Sequence, residues 1–427
     1  MADDLGYECI SANGCEDYKT PHLDKLAKEG MRFTNCYANP ICTPSRVKIM
    51  TGQYNVRNYE SFGSLPRSQK TFGQSFKKAG YRTAIAGKWQ LGTESDSPQY
   101  FGFEESCLWQ QSLPRAKKGL GADSRFENPI LEYNGKVKEY KNGEFGPDLC
   151  TDFICNFIDD NKDQPFMVYY PMLFTHCPFI PTPGTPDYDP ASPGSKSYKG
   201  DAKYFVNMVK HMDILIGRIR TKLEEVGLLD NTLIIFTGDN GTDKPVKTMM
   251  NGKEIPGGKG SMNDNGYRVP LIARLPGKVK ANIVSPELVD FSDFFPTICE
   301  AAGIERPANA IDGVSLWPTF TGEGSRDKPY AYIWYNRNNQ MGKGTVVART
   351  ANYIVKRNDG KASKLYYSPE AFEVEERNME SLSEKEDTIY KKLNQVILDY
   401  DKTRPEGMTK PPKEKKNKKK GRNKSKG

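Results

Sequence analysis

Strand-length apolar runs that end in glycine or polar residues, separated by stretches of helical periodicity, constrain this chain more than any other feature. The runs are Arg82–Trp89 (RTAIAGKW), Pro165–Leu173 (PFMVYYPML) and Asn231–Gly241 (NTLIIFTGDNG). Between them, Thr20–Gly30 opens with Thr-Pro and stops at Gly, and Thr71–Gly80 also opens with Thr and stops at Gly. Asp201–Leu228 repeats apolar residues at helical spacing up to Gly227. Strands alternating with helices predict an α/β fold, a mostly parallel central sheet with helices on both faces. In such sheets ligands bind beyond the carboxyl ends of the strands, so the polar residues closing each run are the first candidates for a site.

After about Phe320 the texture changes. PYAYIWY, TVVARTANYIVKR and KLYYS are short aromatic and β-branched runs between turn residues, the pattern of a small antiparallel sheet. An amphipathic helix, Ser383–Lys402, follows. The chain is expected to divide into an α/β domain over 1–322, a smaller α+β subdomain over 323–405 and a basic tail over 406–427. The net charge of +8 is accounted for by that tail alone, which carries ten Lys/Arg against two Glu. The body is near neutral, so charge implies no nucleic-acid partner. The tail is predicted to be disordered; it solubilises the chain or adheres to an anionic polymer or surface. No apolar run reaches the roughly 18 residues of a membrane-spanning helix. Nine cysteines are too few for a disulfide scaffold in 427 residues.

The stretch Asn39–Met50 (NPICTPSRVKIM) holds the most suggestive chemistry. Thr43 is predicted to cap a helix with Pro44 at its first position. Cys42 then sits at the positive helix end, where anions bind, and Arg46 can reach the same point. A cysteine there is expected to have a lowered pKa. On these residues alone, a structural cysteine beside a capped helix stays equally open.

Cys42-Thr43-Pro44-Ser45-Arg46 resembles the C-x-P-S-R signature of the type I sulfatases, members of the alkaline-phosphatase superfamily. In that family the cysteine is oxidised to Cα-formylglycine by a maturation enzyme. The resemblance runs from Met1 to about Tyr400. ADDLGY resembles the first metal motif and points to Asp3 and Asp4; TGDNG resembles the second and points to Asp239 and Asn240. With residue 42 they imply a site for one Ca²⁺, and three carboxylates with an amide oxygen are hard ligands suited to it. GKWQLG resembles the family's Gly-Lys-Trp-His-Leu-Gly and supplies Lys88, expected to bind formylglycine and sulfate. THCPF supplies His176, and the segment beginning GGKGS supplies Lys259, the second sulfate lysine. GGKGS is no nucleotide loop, since neither Ser nor Thr directly follows its lysine. Of the three histidines, His22 reads as a surface or capping residue and His211 as packing or solvent-facing.

The resemblance implies a sulfatase releasing inorganic sulfate from a sulfated carbohydrate or aryl sulfate ester. The hydrated aldehyde would attack sulfur, its ionised form favoured by Ca²⁺ and Arg46. Lys88 and Lys259 would hold sulfate oxygens, and His176 would protonate the leaving alcohol. One position departs from the family: Gln90 stands where a histidine is expected. Glutamine holds a hydrogen bond but cannot act as a base near neutral pH. That departure keeps open a catalytically weak or inactive polyanion-binding protein. A di-zinc phosphodiesterase of the same superfamily is the other alternative, disfavoured by the scarcity of histidine. The segments Thr93–Asp148 and Pro181–Lys199 are expected to shape the pocket. MADDLGY reads as the end of a strand, so further strand residues and a secretion signal are expected upstream. The family resemblance implies a periplasmic or secreted protein, although no signal peptide opens the sequence given.

Overall fold

The apolar runs form the strands they predict, and the polar residues after them line up along one edge. The computed structural model describes residues 1–112, 125–195, 197–306, 311–337, 339–340, 343–358 and 360–408; the expectation for the tail lies, from 409 on, outside the described residues. The strands of the larger part are β1 (Met31–Tyr37), β2 (Arg82–Lys88), β3 (Glu105–Trp109), β4 (Ile130–Tyr133), β5 (Lys136–Glu139), β6 (Phe166–Tyr169), β7 (Ile234–Thr237), β8 (Lys247–Met250), β9 (Lys253–Pro256), β10 (Leu271–Arg274) and β11 (Ile283–Asp290). They are followed by β12 (Ala331–Tyr335), β13 (Thr345–Arg349), β14 (Tyr353–Asn358), β15 (Lys364–Tyr367) and β16 (Glu375–Glu376). The principal helices are α1 (Pro21–Glu29), α2 (Cys42–Thr51), α3 (Phe72–Lys78), α4 (Gly146–Asp160), α5 (Phe205–Glu225), α6 (Phe294–Ala301) and α7 (Glu384–Asp401).

Two sheets run in the orders β11-β1-β10-β7 and β5-β4-β3-β2-β6. The segment Met1–Asp3 lies between them. On one side Ala2 N donates to Thr237 O at 2.8 Å and Asp239 N to Ala2 O at 2.9 Å; on the other, Met172 N donates to Met1 O at 2.9 Å and Asp3 N to Phe174 O at 2.6 Å. Hydrogen bonding is thus continuous from β11 to β5. β1 is parallel to β11, β2 to β3 and β6, and Ala2 to Gly238. Within these two sheets, among the described residues, only β10 and β4 oppose both of their neighbours. One direction prevails, as expected of an α/β sheet, and it gathers the carboxyl ends of β1, β2, β6 and β7 at one edge.

Successive side chains of a strand point to opposite faces, so each strand feeds two cores. Ala86, Cys107, Leu131 and Ile272 pack with the apolar faces of α1, α4 and α5. Ile85, Leu108, Phe33 and Leu271 pack with those of α2, α3 and α6. α3 opens on a capping box: Thr71 Oγ1 accepts from Gln74 N at 3.3 Å and Gln74 Oε1 from Thr71 N at 3.2 Å. Ser383 and Glu386 do the same for α7. Each such cap contributes about 1 kcal/mol.

The start of α2 differs from the prediction. Cys42 itself is the first helical residue, Ile41 is the capping position, and Thr43 Oγ1 accepts from Gly63 N at 3.2 Å instead of closing the helix end. All ten residues of α2 are buried, including Lys48. Its ammonium is matched by Asp290 Oδ2 at 2.6 Å and Tyr332 O at 2.8 Å.

The last strands form an antiparallel sheet, β12-β13-β14-β15-β16, as their texture predicts. Trp334, Val346, Val355 and Leu365 bury against Leu393 and Ile397 of α7. An ionic knot ties this sheet to the larger part: Asp264 Oδ1 takes Arg349 Nη1 at 2.5 Å, and Oδ2 takes Arg268 Nη1 at 2.8 Å. Among the described residues no helix is long and apolar enough to cross a membrane.

Candidate active site

The common edge collects every residue singled out in the sequence. Asp3 and Asp4 leave the segment between the two sheets, and Asp239 and Asn240 follow β7. Cys42 follows β1 and begins α2, with Arg46 one turn on. Lys88 ends β2 and Gln90 comes next but one. His176 lies beyond β6. Lys259 comes from the loop after β9, held in place by its own N–H on Thr242 O at 2.9 Å.

Their contacts interlock. Lys88 Nζ donates to Asp3 Oδ2 at 2.7 Å, and Lys259 Nζ to Asp4 Oδ2. Arg46 Nη1 donates to Lys88 O at 2.7 Å, while its Nε lies 3.5 Å from Asp239 Oδ2. Cys42 Sγ donates to Gln90 Oε1 at 3.1 Å. Gln90 reaches this position with φ 50°, a left-handed backbone uncommon outside glycine. His176 Nδ1 lies 2.6 Å from Cys177 O, so the hydrogen belongs on Nδ1; Nε2 stands 3.7 Å from Asp4 Oδ2.

Three oxygens fit a cation. Asp3 Oδ1, Asp239 Oδ2 and Asn240 Oδ1 are buried and accept no hydrogen bond from the described residues. Asn240 is oriented for this: its Nδ2 donates to Asp4 Oδ1 at 2.8 Å and Gly241 O at 2.9 Å, leaving Oδ1 to the site. Buried polar atoms are nearly always partnered, so a cluster of orphan acceptors describes a cradle for a positive ion. Ligand atoms of Asp3, Cys42 and Asp239 lie within 4.8 Å of one another, as do those of Asp3, Asp4 and His176. A set dominated by carboxylate and amide oxygens suits a hard cation such as Ca²⁺ better than one selecting imidazole or thiolate.

The electrostatics follow from three carboxylates packed together out of water. Burial opposes ionisation of Asp3, but Lys88, Arg46 and Lys259 outweigh it and hold the carboxyl at about 2. Burial lifts Asp239 to about 8, the Asp3 charge adding to it against the pull of Arg46. Burial also raises Asp4, with Lys259 opposing. Cys42 contradicts the expected lowering of its pKa. Burial raises the thiol, and Asp3 and Asp239 add to that against Lys88 and Lys259. The helix terminus is present, but desolvation and two nearby carboxylates override it.

The other two histidines take no part. His211 is buried in α5 between the rings of Phe145 and Phe174, its Nε2 2.9 Å from Asp148 Oδ2, which makes it a packing residue. His22 stands at the start of α1, its N–H on Asp213 Oδ2 at 3.0 Å. Two site neighbours escape the sequence reading. Thr175 Oγ1 reaches the carbonyls of Asp3 and Asp4 at 3.3 Å each, and Asp243 receives Lys199 Nζ. Their only signal in sequence is adjacency, Thr175 to His176 and Asp243 to the Asn240 loop.

The chain is similar to known proteins. The model of the family described as Sulfatase matches residues 1–304, and that described as N-sulphoglucosamine sulphohydrolase, C-terminal, matches residues 258–401. The chain is 30% identical over 372 residues to N-acetylgalactosamine-6-sulfatase of Mus musculus, spanning 80% of this chain and 68% of that one. It is 30% identical over 390 residues to arylsulfatase A of Bos taurus, spanning 83% and 73%. Among solved structures, one in complex with its substrate D-glucosamine-2-N,6-O-disulfate superposes with a TM-score of 0.73 at 24% identity, over 94% of this chain and 97% of the other. Another, in complex with k-i-k-neocarrahexaose, gives 0.76 at 24% identity, over 95% and 92%. At that identity these two likenesses speak to the fold.

Proposed function

The chain belongs to the sulfatase family and is a sulfuric ester hydrolase, and from that premise we propose that it releases sulfate from a sulfated carbohydrate, with Cys42 converted to Cα-formylglycine by a maturation enzyme and one Ca²⁺ held by Asp3, Asp4, Asp239, Asn240 and residue 42. The observation that carries this reading is the cradle of orphan oxygens beside Cys42, flanked by two lysines. The bound divalent ion would polarise a sulfate oxygen and leave positive a site whose three carboxylates are otherwise matched by Lys88, Lys259 and Arg46. The formylglycine hydrate would supply an oxygen nucleophile.

The chain's own residues have the following work. Lys88 and Lys259 are ordered by Asp3 and Asp4 before any substrate arrives, so their ammonium groups can meet sulfate oxygens without rearrangement. Arg46 bonds the carbonyl of Lys88 and faces Asp239, which fixes α2 against the ends of β2 and β7. His176 is held through Nδ1, so Nε2 faces the site, and it is as the imidazolium, with a proton on both nitrogens, that His176 would give its Nε2 proton to the departing alcohol and return to the neutral ring. Gln90 bonds residue 42 but exchanges no proton.

The carbohydrate class draws support from the names of the relatives: N-acetylgalactosamine-6-sulfatase points to amino-sugar sulfates, and arylsulfatase A keeps aryl esters as practical substrates. Export to the periplasm or outside the cell is part of the proposal on family membership alone. Gln90 favours a second reading, a slow or inactive sulfatase fold that retains sulfated polymers.

The test is direct. Produced in a host that carries the maturation enzyme, the protein should show an aldehyde at residue 42 by mass spectrometry. It should also release sulfate from para-nitrophenyl sulfate and from an amino-sugar sulfate. Turnover with the thiol intact sinks the mechanism. An aldehyde with no sulfate released, but with retention on a sulfated polysaccharide, selects the second reading.

A further inference from the structure

Two charged side chains unused by this reaction, Lys199 and Asp243, pair where loops of the site converge. Asp243 is buried and lies in the loop that begins with Asp239 and Asn240. Lys199 accepts at its carbonyl from Phe179 N at 2.8 Å, in the segment that follows His176. Its backbone is therefore strapped to the His176 loop and its side chain to the Asn240 loop. The third loop closes on the same point. Lys259 N donates to Thr242 O at 2.9 Å, and a Cβ on Gly257 would stand 2.1 Å from Asp243 O, so only glycine lets the two loops lie so close. Charge agrees with this placement: burial opposes ionisation of Asp243, yet Lys199 and Lys259 together hold it below the ordinary aspartate range.

Lys199 differs from the two lysines of the reaction in one respect. Its side chain is 45% exposed, against 1% for Lys88 and 15% for Lys259. Next to it in the chain, Ser197 and Gly200 border an open groove of about 290 Å³ whose walls also include Phe179, Tyr204 and the acidic residues Glu127 and Asp201, which favour sugar hydroxyls there and leave an anionic group to Lys199. Aromatic faces and hydroxyls of this kind suit a sugar ring. A surface ion pair serving the fold alone has no need to be anchored on two loops of a reaction centre.

We propose that Lys199, positioned by Asp243, is a specificity-determining residue that binds a second anionic group of the substrate saccharide, whose ring seats toward the groove. The proposal rests on the sulfatase reading above and assigns preference for polyanionic over singly sulfated sugars.

Binding is measured by calorimetry on Cys42→Ala protein, which leaves the ligand unconsumed, with and without Lys199→Ala. The probes are D-glucosamine-2-N,6-O-disulfate and D-glucosamine-6-sulfate. Lys199→Ala is expected to weaken the disulfate about tenfold, the effect of losing one charge-assisted contact at a half-exposed position. It should leave the monosulfate unchanged, and Lys199→Arg should keep most of the preference. An equal loss for both probes, no loss for the disulfate, or a parent protein that does not prefer the disulfate overturns the proposal. With Cys42 intact, Lys199→Ala should turn over para-nitrophenyl sulfate at the wild-type rate. No turnover by the wild type itself would strike the hydrolase reading, while the binding preference would still decide the role of Lys199.

Discussion

Replacing Gln90 by histidine puts a titratable nitrogen where the structure has an amide oxygen. That oxygen accepts from Cys42 Sγ at 3.1 Å, from a residue with φ 50°. Histidine enters the left-handed region more readily than most side chains. Its Nε2 lies about as many bonds from the backbone as the glutamine Oε1, so it can reach the same point beside residue 42. A positioned general base is worth about 10²–10⁴ in rate. Where proton removal at residue 42 limits turnover, Gln90→His raises kcat by up to that factor, and the pH–rate profile gains a limb near the ordinary histidine value of about 6.5. Where another group already takes the proton, kcat stays level. KM is unchanged in both cases, because Gln90 holds residue 42 and not the sulfate. The assay is sulfate release from para-nitrophenyl sulfate, with kcat and KM followed across pH on protein of measured aldehyde content. A loss of more than about tenfold in kcat, at equal aldehyde content and equal unfolding midpoint, refutes the argument and gives the glutamine a role of its own.

Cys42→Ala should abolish turnover while circular dichroism and the thermal midpoint stay near wild type; surviving turnover ends the proposal for residue 42. Elemental analysis should find calcium, and zinc in its place would revive the phosphodiesterase alternative. Chelation should lower the thermal midpoint, since a ligand that binds only the folded state stabilises it, and Asp239→Asn should shrink that shift; an unchanged midpoint on chelation counts against the cradle. Asp264→Asn strands Arg268 and Arg349 without their buried partner, a loss of about 3–5 kcal/mol in urea unfolding at neutral pH. Burial opposes ionisation of Asp264, but Arg349 and Arg268 hold its folded pKa below the ordinary value. Its contribution is therefore complete above the unfolded value of about 3.9 and fades as pH falls through the folded one. The difference between mutant and wild type should thus close only in acid; a difference under about 1 kcal/mol at neutral pH contradicts the role given to the knot.

The sequence exposes the site better than it exposes what surrounds it. Asp3, Asp4, Asp239 and Asn240 are legible because each pair sits where an extended segment stops, and a sheet with one prevailing direction brings such stops to one edge. The bracing of Met1–Asp3 between β6 and β7 is not legible, since its hydrogen-bond partners lie far along the chain. Nor is the chemistry of Cys42. A helix terminus can be read from Pro44, but burial and two carboxylates arriving from elsewhere cannot, and they reverse the sign of the thiol's shift. Thr43 misleads for a similar reason: its hydroxyl is claimed by the Gly63 backbone, a contact set by packing. Lys199 looks like any loop lysine until the fold places Asp243 beneath it.

The complete burial of α2 would set a clock on the maturation proposed for residue 42. Cys42 is 2% exposed and is the first residue of a helix whose every side chain is covered. A modifying enzyme could not grip this segment in the finished fold, so the proposed oxidation would have to happen while the segment is still loose, in competition with collapse of the chain. Once closed around an unmodified cysteine, a molecule stays that way until it unfolds. The share of competent protein then reflects how slowly the chain folds relative to its modifier, and slowing folding, by lower temperature for instance, should raise that share without altering any contact in the native state.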